Sequence, residues 1–416
     1  MKLEKFDYQI GNKRKKKTFL LLGLVCLGAF ITVILYRTFA SYKVTNSYNI
    51  IGGKVADFSL ADGLSMYLVN EDGTELATSI VPMRDEYIFD SSRSSCQNGT
   101  EIVYNDEDKT ITIDETAGDT CNVYFNYVPL SKQTLYALGY SDDDIKTGIP
   151  YGPSGTNETG FYAAEDDYGT SYYYYTASDA DMPPYIGYSN SYYFLIRING
   201  NGSIRLIEDA PNFTYFNLQN DDNKYIGFMY DDLETENEYI SSTVKLSLEK
   251  RLATTDNTLL DDVIFCNDRS LYVDIDDYKP KEEGDLATGV GADNTYYGSY
   301  YRMRNNKPTL KCPQKEDAFT VEDTLYGNGL LDVPAGLLTV DEAYMTNLSN
   351  WLWSWKHSLT GTMSPAMFKD SVSYIYGFDE GLNYYDVSDS IDYLVVINLK
   401  YGTEFTGSDG WFDVVQ

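Results

Sequence analysis

Apolar and polar residues alternate over many short stretches of this chain, and this pattern predicts β-strands. In residues 193–207, apolar side chains alternate on both sides of an Asn-Gly-Asn-Gly stretch at 199–202. Because Asn and Gly tolerate the positive φ of a tight turn, this segment predicts a β-hairpin. Alternation with Gly and Asp turns returns in residues 371–415 and predicts further strands there.

Three other stretches predict helices. Ser131–Tyr140 predicts a short helix, and a second is predicted to begin at Thr339 because Asp341 and Glu342 fall in its first turn. Carboxylates stabilise the positive end of a helix. An amphipathic helix is therefore predicted behind the acidic residues 234–238, where apolar side chains recur every four positions at Ile240, Val244, Leu248 and Leu252.

The pattern divides the chain into five predicted segments. They are a basic cytoplasmic tail at 1–17, a transmembrane segment at 18–36, a small Ig-like β-sandwich at 45–128, a short helix with a linker at 129–155, and a head domain at 156–416. The Ig-like prediction rests on turn signals spaced by about 8–12 residues. We predict an α+β head with two helices on a mainly antiparallel sheet, so the expected fold class is α+β.

A basic run at 13–17 precedes the uninterrupted apolar stretch 18–36. A helix of that length is about 28 Å long, which suffices to cross the hydrocarbon core of a bilayer. The excess of Lys and Arg predicts a cytoplasmic N-terminus and an extracellular remainder. A cleaved secretory signal, cut between Ala40 and Ser41, is the alternative and would give a secreted protein. The length of the apolar stretch favours a retained single-pass anchor.

The chain is strongly acidic, with 63 Asp and Glu, 32 Lys and Arg, and a formal net charge of −31. A field of this sign repels phosphate backbones, so no nucleic-acid partner is expected. Tyrosine is abundant, at 40 residues. Tyrosine fills strand faces and also provides amphipathic contact surface for sugars and proteins.

Four of the five cysteines are candidates for disulfide bonds, because Cys26 lies within the apolar segment. An extracellular location favours their oxidation. Four cysteines allow three sets of pairings. We predict Cys96–Cys121 and Cys266–Cys312, because each bond then stays within one predicted domain. Metal ligation by cysteine is not expected, since the sequence has no CxxC motif and one histidine.

Two groups of residues in the head are candidates for ligand binding. Asp274, Asp276 and Asp277 are candidate Ca²⁺ ligands, although acidic clusters also arise from composition alone and the spacing is not that of an EF-hand. No other cofactor is expected. Aromatic residues either pack in the core or bind a glycan or protein, and the candidates are Tyr296, Tyr297, Trp351, Trp353 and Trp355, with Tyr172–Tyr175, Tyr300, Tyr301 and Trp411 in the same class.

No catalytic residue is predicted. His357 has no nucleophile or orienting acid beside it in the sequence, and the four cysteines are assigned to disulfides. A carboxylate pair suited to hydrolysis stays an alternative, because two acids at the right separation suffice.

Segments of the last two thirds of the chain resemble a family of membrane-anchored surface proteins from gut Firmicutes and their wall-poor, Mollicute-like relatives. The segments occur in the same order: 156–175 (TNETGFYAAEDDYGTSYYYY), 195–207 (LIRINGNGSIRLI), 264–270 (IFCNDRS), 308–345 (PTLKCPQKEDAFTVEDTLYGNGLLDVPAGLLTVDEAYM), 362–368 (TMSPAMF) and 395–400 (VVINLK). The Ig-like segment, with its closing Cys-x-Val-x-Phe, resembles the membrane-proximal part of the same proteins.

The C-terminal pattern of Ser-Pro, an alternating strand, a Gly turn and Ile-Asn-Leu-Lys also resembles the C-type-lectin and formylglycine-generating-enzyme superfold. Many members there have Gly-Val-Arg-Pro before the final strand, whereas this chain has Asp-Tyr-Leu-Val at 392–395. The resemblances imply a fold and a location rather than an activity.

These features predict a surface protein that is anchored in the cell membrane through 18–36 and displays an adhesin-like head for an extracellular glycan or protein. The alternatives are a structural component of a surface layer or matrix and a carboxylate-dependent extracellular hydrolase. Exposed aromatic groups in a concave site would favour binding, and flat self-complementary patches would favour assembly. Two close carboxylates with one deeply buried would favour hydrolysis.

Overall fold

The computed structural model describes residues 63–113, 119–178, 180–231, 239–253, 257–271, 295–348, 359–379 and 381–415. The chain forms two compact units divided between Val128 and Pro129, which we call unit 1 and unit 2. Strands account for 40% and helices for 14% of the structure. The protein is therefore mainly β, and the predicted α+β class is wrong.

The predicted transmembrane segment 18–36 and the cleavage site at Ala40 and Ser41 lie outside the described residues. Among the helices that the structure does describe, none combines the length and the apolar character that crossing a bilayer requires. The membrane anchor therefore stays a prediction.

Unit 1 consists of short strands. They are β1 (Leu64–Val69), β2 (Glu75–Thr78), β3 (Tyr87–Phe89), β4 (Ser95–Cys96), β5 (Ile102–Asn105), β6 (Thr110–Ile113) and β7 (Cys121–Tyr127). The main sheet has the order β2-β1-β7-β3, with β4 also paired to β7, while β5 and β6 form a separate hairpin. Because β1 and β7 are parallel, the sheet is mixed, and its topology does not identify unit 1 as Ig-like.

Unit 2 contains the remaining strands. They are β8 (Ile145–Lys146), β9 (Gly160–Asp166), β10 (Gly169–Tyr175), β11 (Tyr185–Tyr188), β12 (Ser191–Ile198), β13 (Ile204–Glu208), β14 (Asn212–Tyr215), β15 (Met229–Asp231), β16 (Tyr239–Ser241), β17 (Phe265–Cys266), β18 (Thr295–Tyr296), β19 (Ala318–Phe319), β20 (Ala335–Gly336), β21 (Thr360–Lys369), β22 (Val372–Phe378), β23 (Leu382–Asp386), β24 (Ser390–Tyr393), β25 (Val396–Leu399), β26 (Phe405–Ser408) and β27 (Trp411–Val414).

These strands form two large sheets and two small ones. The larger sheet has ten strands in the order β20-β25-β13-β12-β10-β9-β8, with β11, β27 and β26 added beside β12. The second has six strands in the order β14-β24-β21-β22-β23, with β18 beside β21. Strands β15 and β16 form one pair, and β17 and β19 another. One hydrophobic core contains buried residues from both large sheets.

The described α-helices are short. They are α1 (Leu130–Ala137), α2 (Thr243–Leu252), α3 (Gly298–Arg304) and α4 (Val340–Met345), with 3₁₀ turns at Asp142–Asp144, Asn223–Ile226 and Lys315–Asp317. Isolated helices of this length are marginal in water. Helices α1, α2 and α4 each place apolar side chains in the core of unit 2, and this packing stabilises them.

Several local predictions are confirmed. β12 and β13 form the predicted antiparallel hairpin, and β5 and β6 form another. Helix α4 follows Thr339, whose hydroxyl accepts a hydrogen bond from the Glu342 backbone N–H while the Glu342 carboxylate accepts one from the Thr339 backbone N–H. This reciprocal cap fixes where the helix begins.

The predicted amphipathic helix begins later than its apolar spacing indicated. Helix α2 starts at Thr243, because the Ser242 hydroxyl accepts a hydrogen bond from the Lys245 backbone N–H and caps it. Ile240 lies instead in β16 and pairs with Tyr230 of β15. The acidic residues 234–238 lie outside the described residues.

Both predicted disulfide bonds are confirmed. Cys96 is bonded to Cys121 in unit 1, and Cys266 to Cys312 in unit 2. The first bond joins β4 to β7, where the two cysteines face each other in the antiparallel register. Each bond therefore crosslinks a single compact unit.

Candidate functional site

Unit 2 has an open cleft of about 590 Å³. Its aromatic residues are Tyr140, Tyr174, Tyr185, Phe405, Trp411 and Phe412, and its polar side chains include Asp144, Ser408 and Asp409. We call it the aromatic cleft. Its volume lies within the range of about 300–1,000 Å³ typical of ligand sites.

A tight turn between β26 and β27 holds Trp411 at the cleft. Asp409 and Gly410 both have positive φ, at 53° and 82°. Ser408 pairs with Trp411 across the turn, so the loop has two residues and belongs to the class that suits the twist of a hairpin. At Gly407 a Cβ atom would collide with the Trp411 carbonyl oxygen. These constraints restrict the backbone conformation of the turn that carries Trp411.

Trp411 is 62% exposed although it is the first residue of a paired strand. β27 runs parallel to β11 with Trp411 beside Tyr185, and the two ring centroids are 4.7 Å apart. The Tyr185 ring also stacks on Tyr192, at 5.3 Å. Trp411 is therefore a rigidly supported aromatic side chain with much of its surface in solvent, as expected of a binding anchor.

The C-terminal end of α1 places Tyr140 in the lining of the aromatic cleft. Gly139 has φ +83°, its N–H donates to the Tyr136 carbonyl, and the Tyr140 N–H donates to the Leu135 carbonyl. This pair of bonds is a Schellman motif, which ends the helix and turns the chain sharply. The Tyr140 ring then packs edge-on against Phe161 at 4.9 Å.

The aromatic cleft combines neutral hydroxyl groups with an ionised carboxylate at neutral pH. Burial raises the pKa of Tyr140 to about 12, and it also raises the pKa values of Tyr174 and Tyr185. Asp144 accepts hydrogen bonds from the Ser141 backbone N–H at 2.8 Å and from the Ser141 hydroxyl at 2.9 Å. Both bonds lower the pKa of Asp144, and the bond from the Ser141 backbone has the larger effect.

A second open cleft of about 510 Å³ adjoins the first, and the two share Ala137 and Phe405. Lys400, Tyr401, Thr403 and Glu404 also line it. Two adjoining clefts of this size suit a ligand longer than one sugar ring or one side chain.

Another cavity of unit 2 contains many ionisable side chains but has a volume of only about 30 Å³. Its charged residues are Asp166, Asp167, Arg197, Arg205, Asp268, Arg302, Lys311, Asp341 and Glu342. A cavity this small holds about one water molecule. It therefore has no room for a sugar or peptide substrate.

The buried charges of this cavity neutralise one another. Glu342 lies 2.5 Å from Arg205 and 3.3 Å from Arg197. Burial opposes ionisation of Glu342, but the two guanidinium groups outweigh it and lower its pKa. Breaking such a pair leaves an uncompensated buried charge, so removal of one partner destabilises the fold.

The predicted ligands Tyr296 and Tyr297 line neither open cleft, whereas Tyr174 from the wider group of aromatic candidates lines the aromatic cleft. Tyr297 is only 1% exposed, and its hydroxyl donates to the Asn223 side-chain carbonyl. Tyr296 is half-buried, and its ring lies 4.8 Å from Tyr300. Tyr297 thus packs in the core, where it offers no ring face to a ligand. The predicted ligands Trp351, Trp353 and Trp355, like His357, lie outside the described residues.

The predicted Ca²⁺ ligands Asp274, Asp276 and Asp277 also lie outside the described residues. Within the described part of the chain, one grouping of metal-ligand side chains comprises Cys96, Asp119 and Cys121. The two cysteines are joined in a disulfide, so no thiolate is offered. Asp119 instead accepts hydrogen bonds from Asn98, Thr100 and Thr120, which gives it a structural role.

Comparisons with protein-family models, curated proteins and solved structures found no match to this chain. Sequence reasoning placed Trp411 among the aromatic candidates but did not single it out. The Asp-Gly pair just before Trp411 is the local signal that could have done so, because it predicts a tight hairpin turn.

Proposed function

We propose that this protein is a bacterial cell-surface protein whose unit 2 is an adhesin-like head that binds an extracellular glycan in the aromatic cleft. The observation that carries the proposal is Trp411, a solvent-exposed ring held by paired strands at the edge of a concave surface. Sugar rings stack on such faces, while carboxylates and hydroxyls hydrogen-bond the sugar hydroxyl groups.

The acidic residues of the aromatic cleft and of the small charged cavity favour binding over hydrolysis. In the aromatic cleft, Asp144 and Asp409 are both exposed, and the lowered pKa of Asp144 makes it a poor general acid. Acids with raised pKa values, such as Asp166 and Asp341, lie instead at the small charged cavity. A glycosidase needs its protonated acid next to the glycosidic bond.

The proposed location is the outer face of the membrane, with 18–36 as the anchor and the N-terminus in the cytoplasm. The two disulfide bonds support an oxidising environment. Protease added to intact cells should then digest the units and leave the N-terminal tail protected. Protection of both units from the protease would contradict this orientation.

We expect Trp411→Ala to weaken glycan binding by about thirtyfold or more, since removal of an aromatic anchor costs about 2 kcal/mol or more. The measurement is a glycan-array screen of the full-length chain followed by titration calorimetry on the best ligand. Trp411→Phe should retain part of the affinity because it keeps a ring.

Phe213→Ala is the matched control, because Phe213 is 70% exposed and lines neither open cleft. Equal affinities for Trp411→Ala and the unaltered chain would place the binding site elsewhere. Loss of binding in both variants would indicate a general effect rather than a role of the aromatic cleft.

A further inference from the structure

We propose that the glycan bound in the aromatic cleft carries free, positively charged amino groups. This inference rests on the glycan-binding function proposed above and specifies its ligand class. It depends on how charge and aromatic surface are combined in the cleft.

The formal charges of the aromatic cleft have one sign. Asp144 and Asp409 line it, and its described lining includes no Lys or Arg. The two carboxylates come from different parts of the chain, the 3₁₀ turn after α1 and the β26–β27 turn. Lys146 acts on Asp144 from outside the lining, so a cationic ligand group in the cleft meets two carboxylates and no lining cation.

Among the residues that the structure describes, the hydrogen bonds to each carboxylate end on one of its two oxygens. Both hydrogen bonds from Ser141 end on Oδ2 of Asp144. The bond from the Ser408 hydroxyl to Asp409 also ends on Oδ2, at 3.0 Å. In both residues, Oδ1 can therefore accept an N–H group of a ligand while Oδ2 keeps the side chain in place.

The aromatic residues favour the same ligand. An ammonium group over the face of a tryptophan is attracted by the ring quadrupole, and Trp411 has an exposed ring at the cleft. An N-acetylated sugar gains stacking and hydrogen bonds, whereas an amino sugar gains in addition the cation–π attraction and an ion pair. An anionic glycan loses affinity because it meets two carboxylates in a chain of net charge −31.

The adjoining cleft does not reverse this preference. It contains Glu404 and one cation, Lys400. The Lys400 ammonium group donates a hydrogen bond to the Thr258 carbonyl at 2.8 Å, which commits part of its bonding capacity to the protein. A polymer that continues from the aromatic cleft past Phe405 therefore meets an approximately neutral surface.

The test compares three tetrasaccharides of similar length on the full-length chain: glucosamine, N-acetylglucosamine and glucose oligomers. Exposed ion pairs and cation–π contacts each contribute a few-fold in affinity. We therefore expect the glucosamine tetramer to bind roughly tenfold more tightly than the other two at low salt. This preference should shrink in 0.5 M salt, because screening weakens ion pairs between exposed groups.

The double variant Asp144→Asn/Asp409→Asn should lower the affinity for the glucosamine tetramer far more than that for the neutral tetramers, so that the preference for the amino sugar disappears. Asp389→Asn removes an exposed charge outside both clefts and is the control. Equal binding of the three tetramers would overturn the amino-sugar inference but keep glycan binding. Binding of none of the glycans in the array screen would instead contradict the proposed function itself.

Discussion

Arg302 lies between two buried carboxylates of unit 2. Its guanidinium group bonds both oxygens of Asp341, at 2.7 and 2.8 Å, and one oxygen of Asp268, at 2.6 Å. Planar, bidentate recognition of this kind is specific to arginine. Burial favours the neutral form of Asp341 and raises its pKa, and Arg302 opposes that shift.

We expect Arg302→Met to lower the free energy of unfolding of unit 2 by about 3–5 kcal/mol at pH 7, because two buried carboxylates lose their partner. Urea denaturation followed by circular dichroism measures this change. Arg304→Met in the same helix is the control, since Arg304 is exposed and such a substitution usually changes stability by less than about 0.5 kcal/mol.

The destabilisation by Arg302→Met should depend on pH in a defined direction. Without Arg302, the pKa of Asp341 in the folded state rises further above its unfolded value of about 3.9. The folded state then binds protons more tightly than the unfolded state, so the loss of stability should shrink as pH falls from 7 toward 4. A loss that grows with acidification would contradict the proposed role of the pair.

Individual residues were predicted well where their role is local. The cap at Thr339 follows from adjacent positions, and so does the Asn-Gly turn of the β12–β13 hairpin. The charged cavity was not predicted, because its arginines and acids come from segments as distant as Asp166 and Glu342. Burial of Tyr297 was missed for the same reason, since its partner Asn223 is 74 positions away.

At the scale of elements, a comparison of two glycines distinguishes two free-energy costs of adding a side chain. One is the cost of positive φ, and the other is the cost of steric contact with neighbouring atoms. Gly202, in the β12–β13 turn, has φ +83°, and an added Cβ would lie 2.6 Å from Tyr401 and 2.9 Å from Leu130. Gly402 has nearly the same φ, +79°, but no atom lies within 4 Å of the added Cβ.

We expect Gly402→Ala to destabilise unit 2 by about 1 kcal/mol, the cost of placing a side chain at positive φ. Gly202→Ala should cost about 2–4 kcal/mol, because Tyr401 and Leu130 must also move. Thermal unfolding of both variants measures the difference. Equal stabilities would show that the turn accommodates the methyl group and that packing there is loose.

The boundary between β16 and α2 depends on three features of the same segment: its apolar period, a helix cap and strand pairing. The apolar period from Ile240 to Leu252 predicted one helix, but the Ser242 cap and the pairing of β16 with β15 divide that segment. Periodicity reports which faces are buried, and both a strand and a helix can bury Ile240. Pairing with a strand from another part of the chain decided between them.

At the scale of the whole molecule, each unit is crosslinked by its own disulfide. The Cys96–Cys121 bond closes a loop with a sequence separation of 25 residues. In the chain-entropy account such a loop contributes about 3–4 kcal/mol, by restricting the unfolded state. The contribution matters for a unit whose core contains few buried residues.

Cys96→Ser/Cys121→Ser should therefore lower the stability of unit 1 by about 3 kcal/mol. Hydrogen exchange of amides in β1 and β7 should accelerate accordingly. Amides of β12 and β13 in unit 2 provide the internal reference. Unchanged protection of β1 and β7 in the variant would show that pairing of the strands, rather than the crosslink, determines the stability of unit 1.

The sequence by itself determined the local features of this protein: the tight turn at Asn-Gly, the start of the helix at Thr339, strand segments with alternating side chains, and two disulfides within separate units. Each depends on residues that are close in the chain or on a simple count of cysteines. The tertiary structure alone decided the mainly β class and the aromatic cleft. Strands such as β13 and β25 pair across nearly 200 residues, and Trp411 meets Tyr185 only because β27 joins β11. Such long-range pairing is set by the collective burial of both sheets in one core, which no local pattern specifies.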